Sequence, residues 1–284
     1  NATVPTDPLL DLPGGDDYIA PPEPIQRKLL RPHTIISFAL ALAIIAFMFR
    51  RMDIDLGAVW TNIKAANPWL FLTALALYYG TFIIRTFRWR YMLGQAGINE
   101  TNGYNMPSNP RLFEILMLSW FANCIVPAKL GDGYRSYLLK RDAGAPGSTS
   151  IGTILAERIV DLSVLFITMT ITGILAFHGD LPEKVKHTVW IGGAMIGLAA
   201  VALVVLLVGR DHVVRFIPDR FTRHFHDFHG AVFACLRRPA LPILVSLTIW
   251  MCDGVRMWLV ARSLGAHLSL ELTLFVALVS ALLT

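Results

Sequence analysis

Residues 151–177 read IGTILAERIVDLSVLFITMTITGILAF, an apolar run that is interrupted by Glu157, Arg158 and Asp161. A helix needs about 20 predominantly apolar residues to cross a bilayer, and backbone polar groups in lipid must be paired internally. The run therefore indicates a membrane-spanning helix. A charged side chain inside a span costs about 2.5–3.5 kcal/mol even on lenient insertion scales. We therefore expect the three charged residues to face other helices and to be paired.

Apolar stretches of the same kind recur along the chain. Of its 284 residues, 55% are hydrophobic and 16% are charged, whereas soluble domains carry about 25% charged residues. The other predicted spans are Thr34–Phe49, Pro68–Ile84, Val189–Gly209 and Ala240–Leu264. Two shorter stretches, Leu112–Pro127 and Leu268–Thr284, predict half-spanning helices. The predicted fold class is an all-α polytopic integral membrane protein, a helix bundle with re-entrant half-helices that would form an inverted repeat.

The beginning of the chain differs in composition from the rest. Residues 1–26 are rich in proline and aspartate and have too little apolar surface to offset the entropy of ordering. We expect a flexible acidic tail there, and a transmembrane domain over residues 27–284 that is incomplete at its C-terminal end. The three cysteines, Cys124, Cys235 and Cys252, form no C-x-x-C pair and are interpreted as packing residues.

The distribution of basic residues predicts the orientation. With the N-terminus in the cytoplasm and residues 112–139 entering and leaving on one side, the inner segments carry 16 Lys and Arg and the outer segments carry 6. Cytoplasmic loops are enriched in these residues. A full crossing at Leu112–Pro127 would move the basic stretch at 210–238 outside. We expect a multi-pass protein of the inner (cytoplasmic) cell membrane, with a cytoplasmic N-terminus and a hairpin at 112–139.

A polar, helix-breaking segment separates the two halves of this hairpin. Residues 123–135 read NCIVPAKLGDGYR, and irregular backbone at membrane depth survives only where protein or a wet cavity satisfies it. A helix that restarts after Gly131, with Asp132 as N-cap, would aim its positive dipole end at the membrane interior, and Lys129 and Arg135 add charge. The segment predicts a site for a phosphate or a lipid headgroup. A tight cytoplasmic turn also fits these residues.

Charged residues lie inside two of the predicted spans. Their spacing places Glu157 and Arg158 beside Asp161 on adjacent helix faces, and Asp253 and Arg256 repeat the three-residue spacing in the last span. We predict intramembrane ion pairs that either contact a headgroup or only join helices.

Basic and aromatic residues follow the second span. This segment contains Arg85, Arg88, Trp89, Arg90 and Tyr91. Such residues are typical of anchoring at the membrane interface. Only Arg85, one turn deeper than the others, suggests a contact with the headgroup.

The segment Asp211–Leu236 alternates aromatic with basic residues and predicts an interfacial helix on an anionic leaflet, rather than a nucleic-acid site. His224 and His226 do not share a helix face, and neither they nor His229 complete a metal site. The chain contains no G-x-x-x-x-G-K-[ST], G-x-S-x-G, H-E-x-x-H or G-x-G-x-x-G motif. These observations predict no metal, no cofactor, no nucleic-acid partner and no enzymatic activity.

Three motifs resemble a known family. They are Arg85-x-x-Arg88-Trp89-x-x-Met-Leu-x-x-Ala-Gly97, Pro127-x-x-x-Gly131-Asp132-x-x-Arg135-x-x-Leu138-Leu-x-Arg141-x-x-Gly144, and Glu157-Arg158-x-x-Asp161. Over residues 34–284 the chain resembles the transmembrane domain of the lysylphosphatidylglycerol synthase/flippase-like family, also called UPF0104.

The resemblance implies an integral membrane protein that binds or translocates lipids, often an aminoacylated phosphatidylglycerol. From the residues and the resemblance together, we predict headgroup binding by Arg85, Lys129, Gly131, Asp132, Arg135 and Arg158, and intramembrane ion pairs among Glu157, Arg158, Asp161, Asp253 and Arg256. The expected partners are membrane phospholipids and other membrane subunits. Two alternatives remain open: an accessory subunit of a larger complex that holds a lipid, and a lipid-carrier transferase.

Overall fold

A computed structural model describes residues 55–125, 130–178 and 218–283, together with scattered helical residues within 39–51 and 183–205. The described part contains helices and no strand. The helices are α1 (Leu56–Ala65), α2 (Pro68–Gln95), α3 (Asn109–Ile125), α4 (Gly131–Ala143), α5 (Gly147–Ala176), α6 (Asp219–Arg237), α7 (Ala240–Ser263) and α8 (Leu270–Leu283), with a 3-10 turn at Glu100–Asn102. The predicted all-α fold is confirmed.

The chain divides into two compact units, residues 1–61 and 62–284. In the first, Asp55 caps the start of α1, because its carboxylate accepts hydrogen bonds from the backbone N–H groups of Gly57 and Ala58 at 2.8 and 3.1 Å. The guanidinium of Arg51 lies over the ring of Phe47 at 5.4 Å. The acidic tail predicted at 1–26 lies outside the described residues.

Three helices are long and apolar enough to cross a membrane: α5, α7, and a span at Pro68–Asn102 that includes α2. Large apolar side chains on their outer faces are exposed, including Trp69, Ile167 and Leu244. Exposed apolar surface on this scale is a mark of lipid contact. Most of the predicted spans at Thr34–Phe49 and Val189–Gly209 lies outside the described residues.

Helix α2 is longer than its apolar run. It begins at Pro68, where the side chain of Asn67 accepts hydrogen bonds from the N–H groups of Trp69 and Leu70. The sequence predicted a span that ends at Ile84, but the helix continues to Gln95 and ends before Gly97, whose φ is +83°. The basic and aromatic residues after Ile84 therefore belong to the helix, and they can face the interior of the bundle.

Helices α3 and α4 form an antiparallel hairpin. The start of α3 meets the end of α4 through Arg111 and Asp142, whose Nε and Oδ2 atoms are 2.6 Å apart. At about 1.5 Å per residue, the 17 residues of α3 and the 13 of α4 span about 25 and 20 Å. Both are shorter than a hydrocarbon core of about 30 Å, as expected of half-spanning helices.

Helix α5 lies at the centre of the bundle and packs against α2, α4, α6, α7 and α8. Its contact with α6 is close at Gly152, where a Cβ atom would lie 2.6 Å from the carbonyl oxygen of Phe228. Leu165 and Met169 of α5 pack with Phe275 and Leu278 of α8 in a second part of the core.

The environment of α6 differs from the sequence-based prediction. Its apolar side was expected to lie on lipid, but Ala231, Val232 and Cys235 are buried in the protein. Burial raises the pKa of the Cys235 thiol to about 12, and this thiol donates to the carbonyl oxygen of Met92 at 3.4 Å. Phe221 and Phe233 remain about half exposed. Helix α6 is therefore docked on the bundle through one part of its apolar surface.

Candidate functional site

Arg88 is the centre of a buried cluster of charges. The residue is 1% exposed, although it lies in a predicted anchoring segment. Its Nη2 atom donates to Glu157 Oε1 at 2.6 Å and to Asp161 Oδ2 at 3.0 Å, and its Nη1 atom contacts Asp161 Oδ1. The two carboxylates lie one turn apart on α5, so one guanidinium from α2 bridges both. The cluster therefore joins the two spanning helices.

Two side chains of α7 hold Asp161 in this position. The hydroxyl of Ser246 accepts a hydrogen bond from Arg88 Nη1 and donates one to Asp161 Oδ1 at 2.8 Å. The indole N–H of Trp250 donates to the backbone carbonyl of Asp161 at 3.2 Å. Both oxygens of Asp161 are hydrogen-bonded, so its burial is compensated.

Arg135 of α4 is 2% exposed and lies on the other side of Glu157. Its guanidinium carbon is 3.8 Å from the centre of the Trp89 ring, which is a close cation–π contact. Its Nη2 atom is 2.9 Å from Glu157 Oε2, but the angle of approach does not make a hydrogen bond. Nε and Nη2 of Arg135 and Oε2 of Glu157 have no hydrogen-bond partner within the described ranges. Arg135 is therefore held in place by a ring and is only partly satisfied by its carboxylate.

Gly131 fixes the position of the hairpin break. The side chain of Asn123 accepts a hydrogen bond from the N–H of Gly131 at 2.8 Å, and Ser119 Oγ donates to the carbonyl oxygen of Gly131 at 2.9 Å. A Cβ atom at this position would collide with the backbone carbonyl of Ser119. Only glycine allows α3 and α4 to approach this closely.

Asp132 and Arg158 form a more open pair beside the break. Arg158 Nη2 is 3.1 Å from both carboxylate oxygens of Asp132, and the two side chains are 49% and 28% exposed. This pair links α5 to the first turn of α4. Lys129, a further predicted site residue, lies outside the described residues.

A cavity of about 170 Å³ joins these groups. Its polar lining includes three arginines, three carboxylates and two small polar side chains: Arg85, Arg135, Arg158, Asp132, Glu157, Asp253, Ser119 and Asn123. Tyr78, Phe82 and Trp120 form an apolar wall, with ring centres 5.6 to 6.2 Å apart in edge-to-face arrangements. The cavity is therefore strongly polar on one side and aromatic on the other.

Arg85 is the arginine of the cavity lining that has no carboxylate partner among the described residues. Arg135 and Arg158 each face a carboxylate, whereas Arg85 makes no hydrogen bond or ion pair with any residue that the structure describes. Asp253, across the cavity, is paired with Arg256 of its own helix at 2.8 Å. Arg85 is thus a charged group that is available to a ligand.

Charged residues form ion pairs at the base of the hairpin, where the start of α3 meets the end of α4. Arg111 donates hydrogen bonds to Asp142 and to Glu114, and the bond to Asp142 lowers the pKa of that carboxyl below its ordinary value. The same bonds raise the pKa of Arg111. These groups hold the ends of α3 and α4 together and lie outside the cavity lining.

Comparison with known proteins shows which family the chain belongs to. The model of the lysylphosphatidylglycerol synthase TM region matches residues 34–284, which include the whole cavity. The chain belongs to this family.

The chain is also similar to several curated archaeal proteins. A UPF0104 membrane protein of Methanocaldococcus jannaschii is 29% identical over 58% of this chain and 70% of the relative. One from Methanothermobacter thermautotrophicus is 28% identical over 82% and 72% of the respective chains. Glycosyltransferase AglD of Haloferax volcanii is 26% identical over 49% of this chain, which spans only 21% of that relative. No solved structure matches.

Four of the six predicted headgroup residues line one cavity: Arg85, Asp132, Arg135 and Arg158. The fifth, Gly131, does not line the cavity but is hydrogen-bonded to Ser119 and Asn123, which do. The sixth, Lys129, is not described.

Three details of the sequence-based prediction are wrong. Asp132 does not cap α4: Leu130 occupies the N-cap position without a side-chain cap, and Asn123 accepts from the first N–H of the helix. Arg158 does not pair with Asp161 but with Asp132, from another helix. Arg88 and Trp89 are not interfacial anchors, because both are buried in the bundle. Each error has the same cause, since helix spacing identifies neighbours on one helix and not partners on another.

The sequence did contain a signal for the Arg88 cluster. Two buried carboxylates on one span require nearby positive charge, and the motif that contains Arg85 and Arg88 offered the basic residues on an adjacent span. Among the described residues, no group of three His, Cys, Asp or Glu side chains could hold a metal ion.

Proposed function

We propose that the protein binds the anionic headgroup of a membrane phospholipid in the arginine-lined cavity, as a step in moving the lipid between leaflets. The observation that supports this most strongly is Arg135, which is almost completely buried and yet has two guanidinium nitrogens without a hydrogen-bond partner among the described residues. Buried polar groups are normally satisfied. A phosphate in the adjacent cavity would supply the missing acceptors.

Guanidinium chemistry favours a phosphate as the ligand. Arginine presents a planar fork of donors that matches two oxygens of a phosphate, and charge-assisted hydrogen bonds of this type are about twice as strong as neutral ones. Trp89 fixes the plane of the Arg135 fork before any ligand binds. Arg85 adds a positive charge that forms no direct ion pair with a carboxylate of the described structure.

The size of the cavity favours a headgroup over a whole lipid. Sites for drug-sized ligands typically have volumes of about 300–1,000 Å³, and this cavity has about 170 Å³. The acyl chains of a bound lipid would stay in the bilayer, against the apolar outer faces of the helices. Asp132 and Asp253 on the cavity wall could receive the ammonium group of an aminoacylated headgroup.

Lipid titration followed by native mass spectrometry tests the binding step. Arg85→Gln is the most direct test, because Arg85 has no carboxylate partner that the substitution would leave unpaired. Arg135→Gln removes the guanidinium that Trp89 holds in place. A charged hydrogen bond contributes about 1.5–3 kcal/mol, so each variant should bind phosphatidylglycerol roughly tenfold to a hundredfold more weakly. Binding of phosphatidylcholine should change much less.

Arg90→Gln is the matched control. It removes an arginine of the same helix that donates to the carbonyl of Pro107 and does not line the cavity. Unchanged phosphatidylglycerol occupancy in both cavity variants would refute the proposed site. If inorganic phosphate displaced the lipid at equal concentration, the site would be one for a free anion.

Reconstituted vesicles test translocation and the two alternatives. A lipid-moving protein changes the leaflet that labelled phosphatidylglycerol occupies, whereas an accessory subunit that only holds a lipid does not. The relative named a glycosyltransferase motivates a third measurement, because a lipid-carrier transferase would leave a new covalent product on the lipid.

We infer a cytoplasmic N-terminus and an inner-membrane location from the asymmetry of basic residues. In intact cells, a single cysteine introduced at Gly144 or His226 should not react with an impermeant reagent. Labelling of Gly144→Cys from outside would overturn this orientation and the inner-facing hairpin.

A further inference from the structure

A second, smaller groove continues from the cavity along the same two helices. It has a volume of about 140 Å³ and is lined by Phe71, Ala74, Leu75, Tyr78, Arg256 and Val260. Phe71 lies near the start of α2 and Val260 near the end of α7. The groove is therefore closer than the cavity to one end of both spanning helices.

The two spaces share one seam between α2 and α7. On α2, the lining residues of groove and cavity are 71, 74, 75, 78, 81, 82 and 85, and each has others three and four positions away. On α7, positions 249, 253, 256 and 260 follow one another at three- or four-residue steps. Residues at this spacing lie on a single helix face. The cavity and the groove are thus consecutive sections of one interhelical path.

Tyr78 separates the two sections. It is the one residue that lines both spaces. On the cavity side its ring packs against Trp120 at 6.2 Å and Phe82 at 5.6 Å, and on the groove side the guanidinium of Arg256 lies 5.3 Å from its centre. Tyr78 is therefore the side chain that stands at the boundary of both spaces.

The Asp253–Arg256 pair straddles the same boundary. Asp253 lines the cavity and Arg256 lines the groove, and their Oδ1 and Nε atoms are 2.8 Å apart. The Arg256 side chain remains 33% exposed, and the other five residues of the groove are apolar or aromatic. The lining of the groove therefore contains one cationic side chain among apolar ones. This combination suits one phosphate group that is attached to a lipid.

We infer that Arg256 is a second anion-binding station on the lipid path and that Tyr78 is the gate between it and the arginine-lined cavity. This inference rests on the proposed function. A phosphate that leaves Arg85 and Arg135 passes Tyr78 and meets Arg256 before it leaves the seam, so the headgroup charge is never without a cation in the low-dielectric interior. Asp253 neutralises Arg256 when no phosphate is there.

The test separates binding from movement in one set of variants. Full-length protein is reconstituted in phosphatidylcholine vesicles that contain a trace of fluorescent phosphatidylglycerol, and the exposed label is quenched with an impermeant reductant. For Arg256→Gln we expect the first phosphatidylglycerol molecule to bind with an affinity within twofold of wild type by native mass spectrometry, because Arg85 and Arg135 remain in the cavity, and we expect movement to be at least tenfold slower. The control is Arg262→Gln, because Arg262 stacks on Trp258 near the end of the same helix and lines neither space. It should move lipid at the wild-type rate.

A double variant distinguishes a station from a structural ion pair. Asp253→Asn with Arg256→Gln removes both charges and leaves no stranded carboxylate. If Arg256 binds the phosphate, the double variant stays slow. If Arg256 only neutralises Asp253, movement returns to the wild-type rate and the inference is overturned.

Tyr78→Ala tests the gate. Opening the boundary should let phosphatidylcholine move along with phosphatidylglycerol, whereas Tyr78→Phe, which keeps the ring, should retain the discrimination. Equal discrimination in Tyr78→Ala and wild type would contradict a gate. A wild-type protein that binds phosphatidylglycerol in the cavity but moves none would refute the second station and leave the binding proposal intact; absence of binding would refute both.

Discussion

Arg88 and Arg135 are both nearly inaccessible and both contact Glu157, but their environments differ. Arg88 donates to two carboxylates and a serine hydroxyl from two other helices, and in the described structure its Nε alone has no hydrogen-bond partner. Arg135 stacks on a ring, approaches one carboxylate oxygen at a poor angle, and keeps two nitrogens without a hydrogen-bond partner in the described structure. The first arrangement is closed and holds α2, α5 and α7 together. The second can accept a ligand without breaking the bundle.

The largest expected effect is the loss of Arg88. Arg88→Leu leaves Glu157 and Asp161 buried without their shared cation, and breaking a buried pair in this way typically costs about 3–5 kcal/mol. Arg158→Leu is the matched control, because its pair with Asp132 is half exposed and such pairs contribute about 0–1 kcal/mol. Denaturant titration in detergent micelles measures both. Equal losses would show that the Arg88 cluster is not the structural centre.

An intermediate loss of stability is expected from a substitution at the hairpin break, which positions α4 and its Arg135. Gly131→Ala places a methyl group against the Ser119 carbonyl and should destabilise the protein by about 1–3 kcal/mol. Phosphatidylglycerol binding should weaken too, because α4 carries Arg135.

Gly133→Ala is the control for that substitution. A Cβ there meets nothing within 4 Å, and alanine is favoured over glycine in a helix by about 1 kcal/mol. The variant should be as stable as wild type or slightly more stable. Identical melting temperatures for the two alanine variants would contradict the close approach at Gly131.

The smallest effect concerns the base of the hairpin, outside both arginine environments. The folded-state pKa of Asp142 is lowered by Arg111, so this carboxylate adds stability above its unfolded pKa of about 3.9, and that stability is lost as the pH falls through the lower folded value. Asp142→Asn should cost about 0.2–1 kcal/mol at pH 7, and the difference from wild type should shrink below about pH 4. A difference that is constant from pH 7 to pH 3 would exclude this contribution.

The sequence predicted most of the helical architecture because apolar length carries that information. Ala240–Leu264 was predicted as a span and α7 ends one residue earlier, at Ser263. A helix break within residues 123–135 was predicted from proline and glycine, and in the structure α3 ends at Ile125 and α4 begins at Gly131. The end of the second span was missed by 11 residues, because Arg85, Arg88 and Arg90 resemble an interfacial anchor when their partners on other helices are not known.

The sequence by itself determined that the chain is a membrane helix bundle with charges in its interior, since a bilayer imposes helix length and the cost of each unpaired charge on every span. It also identified the six charged residues that line the cavity. Only the tertiary structure decided which charges are closed off and which remain open. Arg88 donates to Asp161, 73 positions away, and to Ser246, 158 positions away. Such pairings depend on how helices pack against each other, and no spacing within one helix encodes them.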